Sequence, residues 1–215
     1  MSRVKIGVLI SGGGTNLQAL IDNSRLGNIN GEIKLIISNK KDAYGLERGK
    51  IAGIETMYIN PKEYRDVTQY DGRLIDEFKK RGIELIVLAG YLKVLSKNFI
   101  EEFKNRIINI HPSLIPSFCG KNFYGTKVHE EVLKYGVKYT GATVHFVDEG
   151  TDTGPIILQE IVKVDDVDTV ETLQKKVLNI EHKILVDAVK LFCDNRLSIE
   201  DRLVKINGVI KWEEH

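Results

Sequence analysis

Cysteine is scarce in this chain. Cys119 and Cys193 are its only two in 215 residues, and their separation fits no metal-ligand spacing. Two reduced thiols are the expectation, and a chain of this length can bury a stable core without disulfides or metals. An excess of either charge is also missing. Lys plus Arg number 31 against 30 for Asp plus Glu, a net charge of +1. No basic run exceeds a few residues, which argues against a nucleic-acid partner. Long apolar stretches are absent too. None approaches the roughly 20 residues that span a bilayer, so no membrane partner is expected. Only Met1-Ser2-Arg3 precede the first β-branched run, which leaves no room for a secretory leader. These absences lead to the expectation of a cytoplasmic protein, monomeric or homodimeric, acting on small molecules. Internal repeats and low-complexity linkers are lacking as well, so residues 1–215 are read as a single domain.

What is present is an alternation of short apolar runs with longer amphipathic ones. Val4–Ile10, Glu32–Ser38, Glu55–Ile59, Glu84–Ala89 and Ile107–His111 read as strands. Between them, Asn16–Asp22, Gly45–Ala52, Val67–Arg81 and a short segment from a Ser96 cap to Phe103 read as helices. This order predicts an α/β fold: a mostly parallel twisted sheet with helices on both faces. After a helix at Val128–Tyr135 the pattern changes. Thr140–Val147 and Ile156–Val164 are strands with no helix between them, so an antiparallel extension is expected in the C-terminal half, followed by a long helix at Val170–Phe192. Leu203–Ile206 and Val209–Trp212 flank Asn207-Gly208, the signature of a tight hairpin. The expected division is an N-terminal half at 1–105, a second half at 106–195, and a C-terminal hairpin at 196–215.

Three segments carry chemistry. In Leu9–Leu20, "LISGGGTNLQAL", a strand runs into three glycines and then a helix. Glycines allow backbone N–H groups to turn toward a ligand, and a helix N-terminus favours an anion. The lysine of a nucleotide-triphosphate loop is missing, and so is the third glycine of a dinucleotide fingerprint. The second strand ends Ser38-Asn39-Lys40, without the acidic residue that would hold a ribose. A phosphomonoester therefore fits better than a dinucleotide. In "INIHPS", Asn109 and His111 stand two apart and project to one face of a strand that Pro112 stops. At the carboxyl end of a parallel strand, two such donors resemble a site for a developing oxyanion. In Val144–Gln159, His145 precedes a loop that holds Asp148, Glu149 and Asp152. A carboxylate from that loop beside His111 would raise the pKa of the imidazole.

Together these segments resemble the phosphoribosylglycinamide formyltransferase family, the glycinamide ribonucleotide transformylases of purine synthesis. "LISGGGTNLQALID", "ISNKKDAYGLERGKIAGI", "IVLAGYLKVLS", "NIHPSLIPSF" and "GATVHFVDEGTDTGPIILQ" match in order and spacing over nearly the whole chain, weakening after about Asn195. The resemblance implies the formyltransferase fold and formyl transfer from 10-formyltetrahydrofolate, the co-substrate, to the amine of 5′-phosphoribosylglycinamide, with no metal. It implies that Gly14, Thr15 and Asn16 hold the acceptor phosphate and that Glu181 meets the acceptor's amine end. Leu92, Lys93, Val94 and Leu95 would line the folate pocket. Asn109 and His111 would contact the formyl group, with Asn109 also touching folate and His111 as general acid. Asp152 would hold His111 charged, with His145 behind them. Three positions depart from the pattern, one of them Cys119, which stands where proline is usual after Pro116-Ser117-Phe118. A basic folate contact of some relatives falls on Val67, with Arg65 nearby, and a polar acceptor contact falls on Leu178. The rivals are the initiator-tRNA formyltransferase, a formyltetrahydrofolate hydrolase, and a non-catalytic nucleotide-binding module. The last explains the glycine loop but not the convergence of Asn109, His111 and Asp152.

Overall fold

The protein is described here from a computed structural model covering residues 3–208. Its β-branched and leucine-rich runs form nine strands among the described residues. They are β1 (Val4–Ile10), β2 (Gly31–Ser38), β3 (Glu55–Tyr58), β4 (Leu85–Leu88), β5 (Ile107–His111), β6 (Tyr139–Phe146), β7 (Ile156–Lys163), β8 (Leu197–Glu200) and β9 (Leu203–Ile206). The amphipathic runs form α1 (Thr15–Arg25), α2 (Tyr44–Ile51), α3 (Val67–Lys80), α4 (Lys97–Glu102), α5 (Thr126–Tyr135) and α6 (Val170–Cys193). Side chains start several of these helices. Asp66 accepts the Gln69 N–H at α3, Ser96 accepts the Phe99 N–H at α4, and Thr169 closes a reciprocal capping box with Thr172 at α6.

All nine strands lie in one sheet of order β3-β2-β1-β4-β5-β6-β7-β9-β8. The β3-to-β5 half is parallel, and β6 and β7 add to it antiparallel. Residues of β1 alternate between two apolar layers. Ile6, Val8 and Ile10 pack with Leu17, Leu20, Val177 and Leu185 of α1 and α6. Leu9 faces the other way, toward Leu74, Phe78, Phe99 and Phe103 of α3 and α4. Strand order reverses between β1 and β4, the point at which open α/β sheets leave a crevice beyond their carboxyl ends.

A hairpin not expected from the sequence lies near the C-terminal end of the described residues. The hairpin is formed by β8 and β9 around Asp201-Arg202, with Asp201 in the left-handed region at φ 54°. Asn207 follows β9. Its N–H donates to the Arg196 carbonyl at 2.8 Å and its own carbonyl accepts from Arg196 Nε, which closes the open end of the β8–β9 pair. The expected second strand, Val209–Trp212, lies outside the described residues.

Candidate active site

The crevice is a cleft of about 570 Å³. Its walls include the Leu92–Leu95 segment after β4, Asn109 and His111 of β5, His145 of β6, the Asp148–Asp152 loop, and Asn16 with Glu181. Both halves of the chain line it, and the Leu92–Leu95 wall comes from the first half. Gly14, Thr15, Arg65 and Val67 are not among the lining residues, whereas Leu178 is.

At the phosphate-loop side, Gly14 is the residue before α1, at φ 71° and ψ 36°, and no side chain caps the helix. The first N–H groups of α1 are therefore open to an anion. Packing makes Gly14 obligatory as well, since a Cβ there would lie 2.7 Å from the Gly45 Cα. Gly14→Ala is expected to destabilise the fold by about 1–3 kcal/mol through left-handed strain alone, and the contact with Gly45 adds to this. Thermal unfolding with acceptor titration checks this; an unchanged melting temperature and acceptor affinity would show that the loop geometry is not needed. Asn16 behaves differently from a phosphate-loop cap. It is buried and its amide donates to Glu181 Oε2 at 2.7 Å, joining residues 165 positions apart. Burial pushes the Glu181 carboxyl above its ordinary pKa, against the Asn16 hydrogen bond. Arg48, which sequence reasoning passed over, braces the loop through Nε to the Gly13 carbonyl at 2.8 Å and through Nη1 to Gln18.

At the β5 end, the pairing of Asn109 with His145 across the β5–β6 ladder sets the site. His145 Nδ1 lies 2.8 Å from the Phe146 carbonyl, so that nitrogen carries a hydrogen and Nε2 accepts from the Asn109 amide at 3.1 Å. The second Asn109 N–H reaches Asp152 Oδ1 only at 3.5 Å, a long and weak contact. His111 Nε2 donates to the Phe118 carbonyl at 2.9 Å, and its Nδ1 faces Asp152 Oδ2 at 3.5 Å. Asp152 Oδ2 also accepts the Gly120 N–H at 2.9 Å.

The three loop carboxylates have separate fates. Asp148 accepts from Gly150 N–H and the Thr153 hydroxyl within the turn, and Glu149 pairs with Lys97 at 3.2 Å. Only Asp152, at φ 58°, turns inward. Burial alone would raise its pKa, but the His145 and His111 rings and the Gly120 N–H outweigh it, and Asp152 titrates below the usual carboxylate value. His111 departs from expectation. Burial lowers its pKa by more than Asp152 and the Phe118 carbonyl raise it, so the net shift is downward in the empty cleft. The expected ion pair is present in geometry, yet desolvation of a 4% exposed ring dominates.

Phe118, Gly120 and His129 were not anticipated. The first two act through backbone atoms, which leave no mark in a sequence. His129 is 2% exposed, lines the cleft, and has a buried Nδ1 without a hydrogen-bond partner. Burial, with His111 nearby, lowers its pKa to about 4. Its folded-state pKa lies below the unfolded value of about 6.5, so the unfolded state binds more protons between these limits. Stability is full above pH 6.5 and falls as pH drops toward 4, by roughly 3 kcal/mol from this group. Chemical unfolding of wild type and His129→Leu across pH 4–7 checks it; an equal slope in both would remove His129 from the account.

Burial raises the thiol pKa of Cys119 and raises that of Cys193 to about 12, so neither is an activated nucleophile. Among the described residues, no group of three or more His, Cys, Asp or Glu could hold a metal ion, and no helix is long and apolar enough to cross a membrane.

Comparison with known proteins follows the same lines. Residues 4–189 match the formyl transferase family model. The chloroplastic phosphoribosylglycinamide formyltransferase of Arabidopsis thaliana is 42% identical over 91% of this chain and 67% of its own length. The phosphoribosylglycinamide formyltransferase of Haemophilus influenzae is 39% identical over 95% of this chain and 94% of its own. The chain spans 20% of the trifunctional purine biosynthetic protein adenosine-3 of Homo sapiens. The crystal structure of glycinamide ribonucleotide transformylase 1 from Symbiobacterium toebii superposes with a TM-score of 0.92 at 44% identity, covering 96% of this chain and 95% of that one. With the β5 dyad and the inward carboxylate on one cleft and a glycine loop before α1, the chain belongs to the formyl transferase family, among its phosphoribosylglycinamide formyltransferases.

Proposed function

We propose that this cleft carries out formyl transfer from 10-formyltetrahydrofolate to the amine of 5′-phosphoribosylglycinamide with the residues described above. The observation that carries the reading is the convergence of Asn109, His111 and Asp152, from two separate segments, within 3.5 Å contacts at the carboxyl end of β5. The Gly14–Asn16 turn takes the acceptor phosphate through backbone N–H groups, and Glu181, oriented by Asn16, meets the amine end. The Leu92–Leu95 wall takes the folate.

The amine attacks the formyl carbon, forming a C–N bond and placing negative charge on the formyl oxygen. The second Asn109 N–H, only weakly engaged by Asp152, and the His111 Nε2–H are the donors for that oxygen. His111 must release the Phe118 carbonyl to serve. In the empty cleft burial works against the charged ring, and the growing oxyanion offsets that desolvation. Asp152 is the anionic group that accepts the proton leaving the amine, directly or through water. Asp152 then passes that proton, directly or through water, to the folate nitrogen as its bond to the formyl carbon breaks, which gives the N-formyl product and tetrahydrofolate and restores the carboxylate. His145 holds Asn109 in place.

The test is formyl-group release from 10-formyltetrahydrofolate with and without the ribonucleotide. Transfer only in its presence is expected. Equal release into buffer would instead make the chain a hydrolase, and tight binding of a dinucleotide without transfer would make it a binding module.

A further inference from the structure

Ser11 is the last residue before the triple glycine, and it is 2% exposed. Its surroundings join three strand ends. Its N–H donates to the Gly90 carbonyl at 3.1 Å, continuing the β1–β4 pairing past the end of both strands. Gly90 then adopts φ 78°, which turns the chain out of the ladder. The next backbone donor, Leu92 N–H, is taken by the Ser11 hydroxyl oxygen at 2.9 Å. With its lone pair so engaged, the hydroxyl donates its own hydrogen to Asn39 Oδ1, 2.7 Å away beyond β2. One side chain thereby ties the start of the glycine loop to the start of the Leu92–Leu95 wall. The residues that flank this segment are anchored elsewhere, Tyr91 before it by its Oη to Tyr70 Oη at 3.0 Å and Ser96 after it by its N–H to buried Asp71 at 2.5 Å. Neither of those anchors touches the glycine loop.

We propose that Ser11 is a positioning residue shared by the two substrate sites, whose hydroxyl sets the folate-lining segment by the conformation of the phosphate loop. This rests on the assignment of those two sites made above. An anion that orders Gly12–Asn16 also fixes Ser11, and Ser11 fixes the Leu92 N–H. Each substrate therefore binds better in the presence of the other, as reciprocal linkage requires. Removing the hydroxyl leaves the Leu92 N–H and Asn39 Oδ1 without this partner and uncouples the loops, while Tyr70 and Asp71 still hold the flanking residues Tyr91 and Ser96.

The measurement is calorimetric titration of an unreactive 10-substituted folate analogue, alone and with saturating 5′-phosphoribosylglycinamide. In wild type the acceptor tightens analogue binding by about fivefold or more. In Ser11→Ala the tightening falls below about twofold, and Ser11→Thr, which keeps the hydroxyl, restores it. Tyr70→Phe weakens the analogue but keeps the tightening, which separates shared positioning from general loosening of the segment. Asn39→Ala removes the acceptor that orients the hydroxyl and gives a second test should Ser11→Ala fold poorly. Full tightening in both Ser11→Ala and Asn39→Ala, or none in wild type, overturns the proposal. Wild-type protein that binds neither ligand overturns the functional reading itself, and this inference with it.

Discussion

Asp152→Asn lowers turnover by about 10³-fold, with the apparent affinity for the acceptor changed by only a few-fold. Proton transfer by a positioned group contributes about 10²–10⁴-fold, and an amide isostere cannot accept the amine's proton. Its size is unchanged, so the Gly120 N–H keeps an oxygen to donate to. The loss therefore falls on kcat, as expected for an interaction made in the transition state and not in ground-state binding. A second readout isolates the electrostatics. Asp152 is the charge that pulls the His111 pKa upward against burial. Neutralising it moves His111 further below its ordinary value, a shift visible in the imidazole resonances of the ligand-free protein. Wild-type turnover in Asp152→Asn, or a His111 titration that does not move, would remove Asp152 from this role.

His111→Ala has the second large effect. Loss of one donor to a developing oxyanion costs about 10²–10³-fold in turnover, equivalent to roughly 3–4 kcal/mol of transition-state stabilisation. The Asn109→Ala variant falls in a similar range. The double variant falls short of the product of the two, since both donors serve one oxygen and act as a unit. Truncating His111 also frees the Phe118 carbonyl and removes the ring facing Asp152 at 3.5 Å. Folate-analogue affinity, measured directly, is expected to stay within a few-fold of wild type. A collapse of that affinity with turnover preserved at saturation would make His111 a binding residue and not a catalytic one.

Much of this was legible in the residue order. The period-2 and apolar runs from Val4 to His111 reported a parallel sheet, because strands buried on both faces need apolar side chains on both faces. Caps such as Ser96 were legible because their hydrogen bonds are local. The same-face placement of Asn109 and His111 followed from strand geometry alone. The turn at Asp201-Arg202 was not legible because the pairing of Leu197–Glu200 with Leu203–Ile206 depends on cross-strand contacts.

The chain by itself determined the order of elements, the glycine loop before α1, and a polar pair at the end of β5; each depends on neighbours within a few residues. Tertiary structure decided the rest. It chose Asp152 from three loop carboxylates by engaging Asp148 within its own turn and Glu149 with Lys97. It joined Asn16 to Glu181 and Ser11 to Leu92, pairs separated by 165 and 81 positions. It also set the direction of the His111 shift, because desolvation depends on everything packed around the ring, and the nearest carboxylate supplies only one part of that balance.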